Sequence, residues 1–244
     1  MSVKKILVSQ PQPTSEKSPY YDLAQAHGVE VVFRPFVKVE GVTAREFRSS
    51  KITLSDYSAI IMTARHAVDH FFRLCQETRY TVPDTLKYFC VSQTVAHYLQ
   101  KYITYRKRKI FYAESGKMQD LLTILSKHNK ENYLLPMSDA HVAPDTAIDS
   151  RIHYTPVVMY RTVSNDFTPE EPFDYDMVIF FTSTGVKTYT ANFPDYRDRK
   201  VVIGAMGKST IDTLAEVGLP LDITVTPEHP SMAAAISNYL KKNK

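Results

Sequence analysis

Glycine, lysine and hydroxyl residues follow an apolar run in the segment "VVIGAMGKST", residues 201–210. A strand, a glycine turn and a Lys-Ser pair at a helix start are the components of a phosphate-binding P-loop. That motif requires a second glycine five residues before Gly207, and Val202 occupies this position. The spacing therefore argues against a nucleotide site. A weaker anion site remains, in which helix-start amides and the hydroxyls of Ser209 and Thr210 act as donors.

A second polar loop follows an apolar run in "FFTSTGV". Thr182, Ser183 and Thr184 precede Gly185, and no G-x-S-x-G sequence surrounds them, so a Ser-His-Asp hydrolase is not indicated. Hydroxyl residues at this point predict a loop that caps a helix. Such a loop offers backbone and side-chain donors to a carboxylate or a phosphate.

Two other sets of residues have types that could bind metal. His66 and His70 are one helical turn apart in "HAVDH", a spacing used by metal-binding pairs. The glutamate of the zinc protease motif is absent and no third ligand is evident, so we interpret them as solvated or packed side chains. Cys75 and Cys90 lie in apolar segments without metal-ligand spacing. They are predicted to be reduced core residues of a cytosolic protein.

The composition is that of a globular protein, with 244 residues of which 43% are hydrophobic. The net charge of +4 favours anionic ligands without specifying one. The basic run "YRKRK" (105–109) is interpreted as a solvated loop, because no nucleic-acid recognition motif accompanies it. There is neither a signal-peptide pattern nor an apolar run of about 18 residues. We therefore expect a cytoplasmic protein with no nucleic acid or membrane partner.

Strand-like and helix-like segments alternate along the chain, which predicts parallel sheets covered by helices on both faces. Segments of the first half also resemble segments of the second half in the same order. "YSAIIMTARHAVDHFF" resembles "YDMVIFFTSTGVKTY", and "KYFCVSQTVAHYL" resembles "VIGAMGKSTIDTL". This alignment puts Ala64 on Thr182 and Ser92 on Gly207. We therefore predict two similar α/β units that arose by duplication.

Two segments that contain proline separate these units. "RPFVKVEGV" (34–42) resembles "TPVVMYRTV" (155–163), and each begins a new unit. If they pair as a two-stranded ribbon, one unit is inserted into the other. Tyr160 lies towards the end of the second segment. Packing is the usual role of such a tyrosine, and at the mouth between two domains its hydroxyl could instead donate a proton to a departing group.

Taken together, these segments resemble the uroporphyrinogen-III synthase family over essentially the whole chain. The resemblance depends on the order of several weak motifs, including "ILVSQP", "VVMYRTV", "IFFTSTGV" and "TPEHPSMAAAISNYL". It implies two similar α/β domains, each a parallel sheet flanked by helices, joined by a two-stranded β ribbon. Residues 1–37 and 161–244 would form a discontinuous domain, with residues 38–160 inserted and the active site in the cleft between them.

The resemblance also implies a reaction that requires neither a metal nor an organic cofactor. The substrate would be hydroxymethylbilane, a linear tetrapyrrole rich in carboxylates. Loss of its terminal hydroxyl gives an electrophilic azafulvene, and attack through a spiro intermediate inverts ring D before closure. This chemistry suits an enzyme that acts by positioning and has no nucleophile of its own. Nothing in the sequence requires more than a monomer.

The resemblance assigns site residues by position. Tyr160 matches a tyrosine proposed to assist departure of the hydroxyl. The remaining candidates for substrate binding lie at predicted helix starts. They are Thr63, Ala64, Arg65, Ser92, Thr94, Thr182, Ser183, Thr184, Gly207, Lys208, Ser209 and Thr210.

Several positions depart from the family pattern. Gln10 stands where an arginine is usual, Ala64 lacks a hydroxyl, and His66 replaces asparagine. Lys208 replaces proline, and Pro136 stands where an arginine often follows a strand. A divergent homologue that binds a tetrapyrrole or another polyanion without this activity is therefore an alternative. A two-domain module of the periplasmic-binding type is a third hypothesis, which the lack of a signal peptide disfavours.

Overall fold

The computed structural model describes residues 3–139 and 152–243. The strands in these ranges are Lys5–Val8 (β1), Glu30–Phe33 (β2), Val37–Gly41 (β3), Ala59–Met62 (β4), Lys87–Cys90 (β5), Ile110–Tyr112 (β6), Tyr133–Ser138 (β7), Tyr154–Ser164 (β8), Met177–Phe180 (β9) and Val202–Ala205 (β10). The α-helices are Pro19–His27 (α1), Ala44–Ser49 (α2), Arg65–Glu77 (α3), Gln93–Tyr98 (α4), Met118–Ser126 (α5), Ser183–Asn192 (α6), Lys208–Val217 (α7) and Met232–Lys242 (α8).

The strands form two sheets. One has the order β10-β9-β1-β2, and all three of its strand pairs are parallel. The other has the order β3-β8-β7-β4-β5-β6, and its pairs from β8 to β6 are parallel. The α/β class with parallel sheets flanked by helices, predicted from the sequence, is confirmed. The two proline-containing segments contribute the neighbouring strands β3 and β8, and the Val42 amide donates to the Met159 carbonyl at 3.0 Å.

The chain divides into two compact units. Unit 1 spans Met1–Lys38 and Val163–Lys244, and unit 2 spans Val39–Thr162. The strands of the two sheets follow corresponding orders. Ile223 forms a parallel bridge with Gly204, so unit 1 reads as residue 223, then β10, β9, β1 and β2. Unit 2 reads β6, β5, β4, β7 and β8. The segments aligned by sequence therefore occupy equivalent strands, with β4 matching β9 and β5 matching β10.

The parallel sheets are covered on both faces, and strand β1 illustrates why. Ile6 and Val8 are buried in one cluster with residues of α1 and α8, whereas Leu7 is buried in another with residues of α6 and α7. Successive side chains of a strand point to opposite faces, so a strand covered on both sides must be apolar throughout. This requirement explains the unbroken apolar runs of the sequence.

Local signals fix the ends of the helices. Ser18 accepts a hydrogen bond from the Tyr20 amide at the start of α1, and Pro19 is the first helical residue. Gly28 ends the helix with φ of 64°, in the left-handed region that glycine favours. The segment "LDITV" (221–225) has the β-branched residues typical of a strand, but only Ile223 forms a bridge there.

The cysteines and the lengths of the apolar helices can also be compared with the sequence analysis. Cys75 and Cys90 are free and buried, as predicted, and burial raises the pKa of each thiol to about 12. No helix in the described part of the chain has the length and apolar character that a membrane span requires.

Candidate functional site

The carboxyl ends of β9 and β10 in unit 1 lead directly into α6 and α7. Thr182 caps α6, because its hydroxyl accepts a hydrogen bond from the Gly185 amide at 3.0 Å. Ser183 Oγ donates to the Ser209 carbonyl at 2.8 Å. The first turns of the two helices are therefore tied together, and the predicted residues of the two polar loops are brought into one place.

The start of α7 leaves its amides available. Gly207 occupies the N-cap position with φ of 93°, and no side chain caps the helix. Gly207, Lys208 and Ser209 are all exposed. Free first-turn amides and the positive end of the helix dipole together attract an anion. This arrangement has the chemistry of a carboxylate site.

The two remaining hydroxyl candidates in these polar loops differ in exposure. Thr184, the second residue of α6, is exposed. Thr210 is only 1% exposed and lies on the inner side of α7. A ligand at the surface can therefore reach the hydroxyls of Ser209 and Thr184, whereas that of Thr210 is withdrawn into the core.

Unit 2 has an equivalent edge at the ends of β4 and β5. Thr63 follows β4, and Ala64 is the N-cap of α3, which no side chain caps. Ser92 caps α4 by accepting a hydrogen bond from the Val95 amide at 3.4 Å. Thr94 is exposed in the first turn of α4. The free amides of this edge are therefore those at the start of α3.

Arg65 is the first residue of α3 and is exposed. Its guanidinium lies 5.4 Å from the centroid of the Tyr98 ring, a cation–π distance. The hydroxyl of Tyr98 donates to the Asp69 carboxylate at 3.0 Å. A cation is thus held beside a helix start that already favours anions.

Tyr160 lies in β8 and is 5% exposed. Its ring is stacked on His70, with centroids 5.3 Å apart and planes 16° apart, and lies 6.1 Å from His66. Burial raises the pKa of the Tyr160 phenol. The phenol is therefore protonated near neutral pH and is a hydrogen-bond donor.

His66 and His70 therefore pack against Tyr160. From the sequence, we interpret this pair as solvated or packed side chains. Among residues 3–139 and 152–243, no cluster of three or more His, Cys, Asp or Glu side chains is arranged to hold a metal ion.

Sequence reasoning missed Arg73, whose Nε donates to Nδ1 of His70 at 3.2 Å. Its guanidinium also forms an ion pair with Glu77 at 2.7 Å. Spacings of three and four residues along a helix place side chains side by side, so this signal was present in the sequence. The contact with Tyr160, in contrast, required the fold.

Two departures from the family pattern have clear locations. Gln10 is half-buried just after β1, where its backbone N–H donates to the Val8 carbonyl at 2.8 Å. Pro136 was expected to follow a strand, and this is wrong. It is buried within β7, opposite Val157 of β8.

A cavity of about 290 Å³ lies elsewhere in unit 2, at the amino ends of β5 and β6. Asp84 lies in its wall and pairs with Arg106 at 3.5 Å and with Lys109 at 3.7 Å. Two cations of the basic run "YRKRK" are therefore already partnered by a carboxylate. This cavity is separate from the predicted site residues, which follow the carboxyl ends of the strands.

The fold and these helix starts define an α/β protein with polar loops at the carboxyl edges of parallel sheets, the usual ligand position in such folds. The model of one protein family, described as uroporphyrinogen-III synthase HemD, matches residues 18–237. The chain therefore belongs to the uroporphyrinogen-III synthase family, whose members act in porphyrin biosynthesis. No curated protein matches the chain significantly in sequence.

Solved structures of the same family are similar to this chain. Uroporphyrinogen-III synthetase from Helicobacter pylori matches with 17% identity and a TM-score of 0.55, covering 98% of this chain and 99% of that one. A mutant uroporphyrinogen III synthase from the extremely thermophilic bacterium Thermus thermophilus matches with 15% identity and a TM-score of 0.46, covering 99% and 100%. The first of these likenesses supports the fold.

Proposed function

We propose that this chain is a cytoplasmic, monomeric hydro-lyase of the tetrapyrrole pathway. It cyclises hydroxymethylbilane to uroporphyrinogen III with inversion of ring D and loss of water. The observation that carries this proposal is the family match over residues 18–237, which includes both pairs of helix starts.

The substrate's carboxylates bind where helices begin without a side-chain cap. Of the four helix starts at these two sheet edges, those of α7 and α3 have no side-chain cap, and these helices begin with Lys208 and Arg65 respectively. Neither helix has an acidic residue in its first turn. A positive charge at the first residue of a helix is repelled by the positive end of the helix dipole, so it does not stabilise the helix. It can instead bind a substrate carboxylate that also accepts hydrogen bonds from the free amides.

Tyr160 assists departure of the terminal hydroxyl. Its protonated phenol donates a hydrogen bond to the leaving oxygen, which takes the phenol proton and departs as water, and the pyrrole N–H proton lost as the azafulvene forms restores the phenol. Because burial raises the pKa of this phenol, it acts as a donor and not as a strong acid. The remaining rate acceleration comes from holding the flexible tetrapyrrole so that the correct carbon attacks.

The proposal is tested by supplying hydroxymethylbilane made enzymatically, then oxidising and separating the product isomers. We expect isomer III above the background of isomer I that forms spontaneously. If a folded protein yields only isomer I, the proposal fails and the non-catalytic homologue becomes the better hypothesis.

Two variants test the carboxylate sites. Lys208→Gln and Arg65→Gln should each raise KM by about tenfold or more, because a charge-assisted hydrogen bond contributes about 1.5 kcal/mol or more. Lys187→Gln is the matched control, since it removes an exposed charge from α6 away from its first turn. Equal effects of all three variants would show that only the net charge matters.

A further inference from the structure

A chain of contacts along α3 ends on the ring of Tyr160. The Arg73 guanidinium donates to the Val42 carbonyl at 2.6 Å and to the Glu77 carboxylate at 2.7 Å. Its Nε donates to Nδ1 of His70 at 3.2 Å. The imidazole of His70 in turn lies nearly parallel to the phenol ring of Tyr160, with 5.3 Å between centroids. The Arg73 guanidinium therefore holds the His70 imidazole, and the imidazole holds the Tyr160 ring.

The backbone of unit 2 makes room for this arrangement at Gly41. A Cβ atom at this position would lie 2.5 Å from a nitrogen of the Arg73 guanidinium. The guanidinium thus lies directly over the backbone at the end of β3. Because no side chain intervenes, Arg73 contacts the neighbouring Val42 carbonyl and still reaches His70.

The hydrogen bond from Arg73 also specifies the state of His70. A guanidinium only donates, so Nδ1 of the imidazole is the acceptor, and a neutral ring then carries its proton on Nε2. Burial lowers the pKa of His70, and electrostatic interactions with Arg73 and His66 lower it further. The carboxylates of Asp69 and Glu77 act in the opposite direction. A neutral, oriented imidazole follows from this environment.

We propose that Arg73 and His70 are positioning residues for Tyr160. Arg73 fixes the plane of the imidazole, and the imidazole fixes the plane of the phenol. The proposal rests on the function proposed above, because the pair acts on the reaction only through the Tyr160 hydroxyl. Small displacements of a reacting group cost large factors in rate, which gives such a pair a measurable role.

Kinetics of isomer III formation test the pair in the full-length protein. His70→Ala should lower kcat roughly tenfold with KM changed less than about twofold, because orientation is lost while carboxylate binding is kept. His70→Phe should restore most of the rate, since a planar ring returns. His97→Ala is the matched control: His97 packs on Tyr105, with centroids 5.7 Å apart, in the same unit.

A double mutant separates positioning from general damage. In a Tyr160→Phe protein, which itself should turn over more slowly, His70→Ala should cause no further loss of kcat. Independent, multiplicative losses would overturn the proposal. Full activity of Tyr160→Phe would also overturn it, because there would be no hydroxyl to position.

A readout without turnover keeps this inference distinct from the proposed function. In protein made with ring-¹³C tyrosine, the Tyr160 signal is the one missing from Tyr160→Phe. That signal should shift and broaden in His70→Ala and in Gly41→Ala, but not in His97→Ala. An unchanged Tyr160 signal would overturn the positioning role, even if wild-type protein makes isomer III. A shifted signal in a protein that makes only isomer I would support ring fixation while the proposed function fails.

Discussion

Units 1 and 2 repeat one fold but place their helix caps in opposite positions. In unit 1, Thr182 caps α6, whereas Gly207 leaves α7 uncapped. In unit 2, Ala64 leaves α3 uncapped, whereas Ser92 caps α4. The duplicated segments align Ala64 with Thr182 and Ser92 with Gly207, so the free helix starts follow non-equivalent strands.

The first helical residues differ in the same sense. The uncapped helices begin with Lys208 and Arg65, and the capped helices begin with the neutral residues Ser183 and Gln93. A cap satisfies amides from within the chain, whereas a cation beside free amides favours a ligand. The two units therefore share a strand order but differ in which of their helix starts lacks a side-chain cap.

The largest expected effect comes from exchanging the residues at Gly207 and Ser92. Gly207→Ser should lower the free energy of unfolding by about 1–3 kcal/mol, because φ of 93° with ψ of 138° strains any residue with a side chain. Space is not limiting, since the nearest atom to an added Cβ lies 3.8 Å away. Urea unfolding measures the change.

The reciprocal exchange is the control. Ser92→Gly should cost only a few tenths of a kcal/mol, because glycine is itself an acceptable N-cap residue and Ser92 has φ of −151°. Similar losses in both variants would contradict the view that the two starts are built differently.

A second pair of exchanges tests the caps at Thr182 and Ala64. Thr182→Ala should lower the free energy of unfolding by about 1 kcal/mol, since it removes the acceptor for the Gly185 amide. Ala64→Thr should raise it by up to about 1 kcal/mol, because φ and ψ of −153° and 163° already suit a cap. Thermal unfolding of both variants measures the difference.

The Ala64→Thr variant also tests whether the amides of α3 bind a substrate carboxylate. A new cap competes with a carboxylate for the amides of α3, so KM for the bilane should rise while stability rises. A gain in stability with unchanged KM would remove α3 from the substrate site.

Two buried tyrosines distinguish the cores of the units. Tyr133 in unit 2 donates its hydroxyl to the His128 carbonyl at 2.9 Å, so Tyr133→Phe should cost about 1 kcal/mol. The hydroxyl of Tyr189 in unit 1 is buried with no hydrogen-bond partner among the described residues. Tyr189→Phe should therefore be neutral or slightly stabilising by urea unfolding. Equal losses would show that Tyr189 has a partner.

The smallest effect is a pH dependence that belongs to unit 2. Burial, followed by Arg73 and His66, lowers the pKa of His70 in the folded protein, against the opposing charges of Asp69 and Glu77. The unfolded chain then binds the proton more tightly, so stability is complete above the ordinary histidine pKa of about 6.5 and falls as pH falls below it. Urea unfolding at pH 7.5 and 5.5 should show a smaller drop for His70→Asn than for wild type.

Much of the fold could be predicted because its signals are local. The Ser18 cap, Pro19 and Gly28 bound α1 by interactions within a few residues. Apolar runs between polar helix starts likewise predicted parallel strands covered on both faces. The segment "LDITV" shows the limit, because β-branched residues favour a strand only where a neighbouring strand is available along its length.

The site was less predictable, for two physical reasons. Ser209 and Thr210 are adjacent hydroxyl residues, yet the helical period turns Thr210 inward with Thr213 and Leu214. This periodicity could have been read from the sequence. The stacking of His70 on Tyr160 could not, because it joins a helix and a strand that are distant along the chain and depends on sheet order.

The position of β1 has a consequence for synthesis on the ribosome. It lies between β2 and β9, and the amides of Lys4 and Lys5 donate to Asp176, which is 172 and 171 residues away. Strands β4 to β7, in contrast, lie within unit 2, and β8 ends at Ser164, just beyond the last residue of that unit. The nascent chain thus completes the sheet of unit 2 before β9 emerges, and β1 must wait with one edge unpaired. Strand β1 is therefore made early but gains its neighbour β9 only after unit 2 has been synthesised.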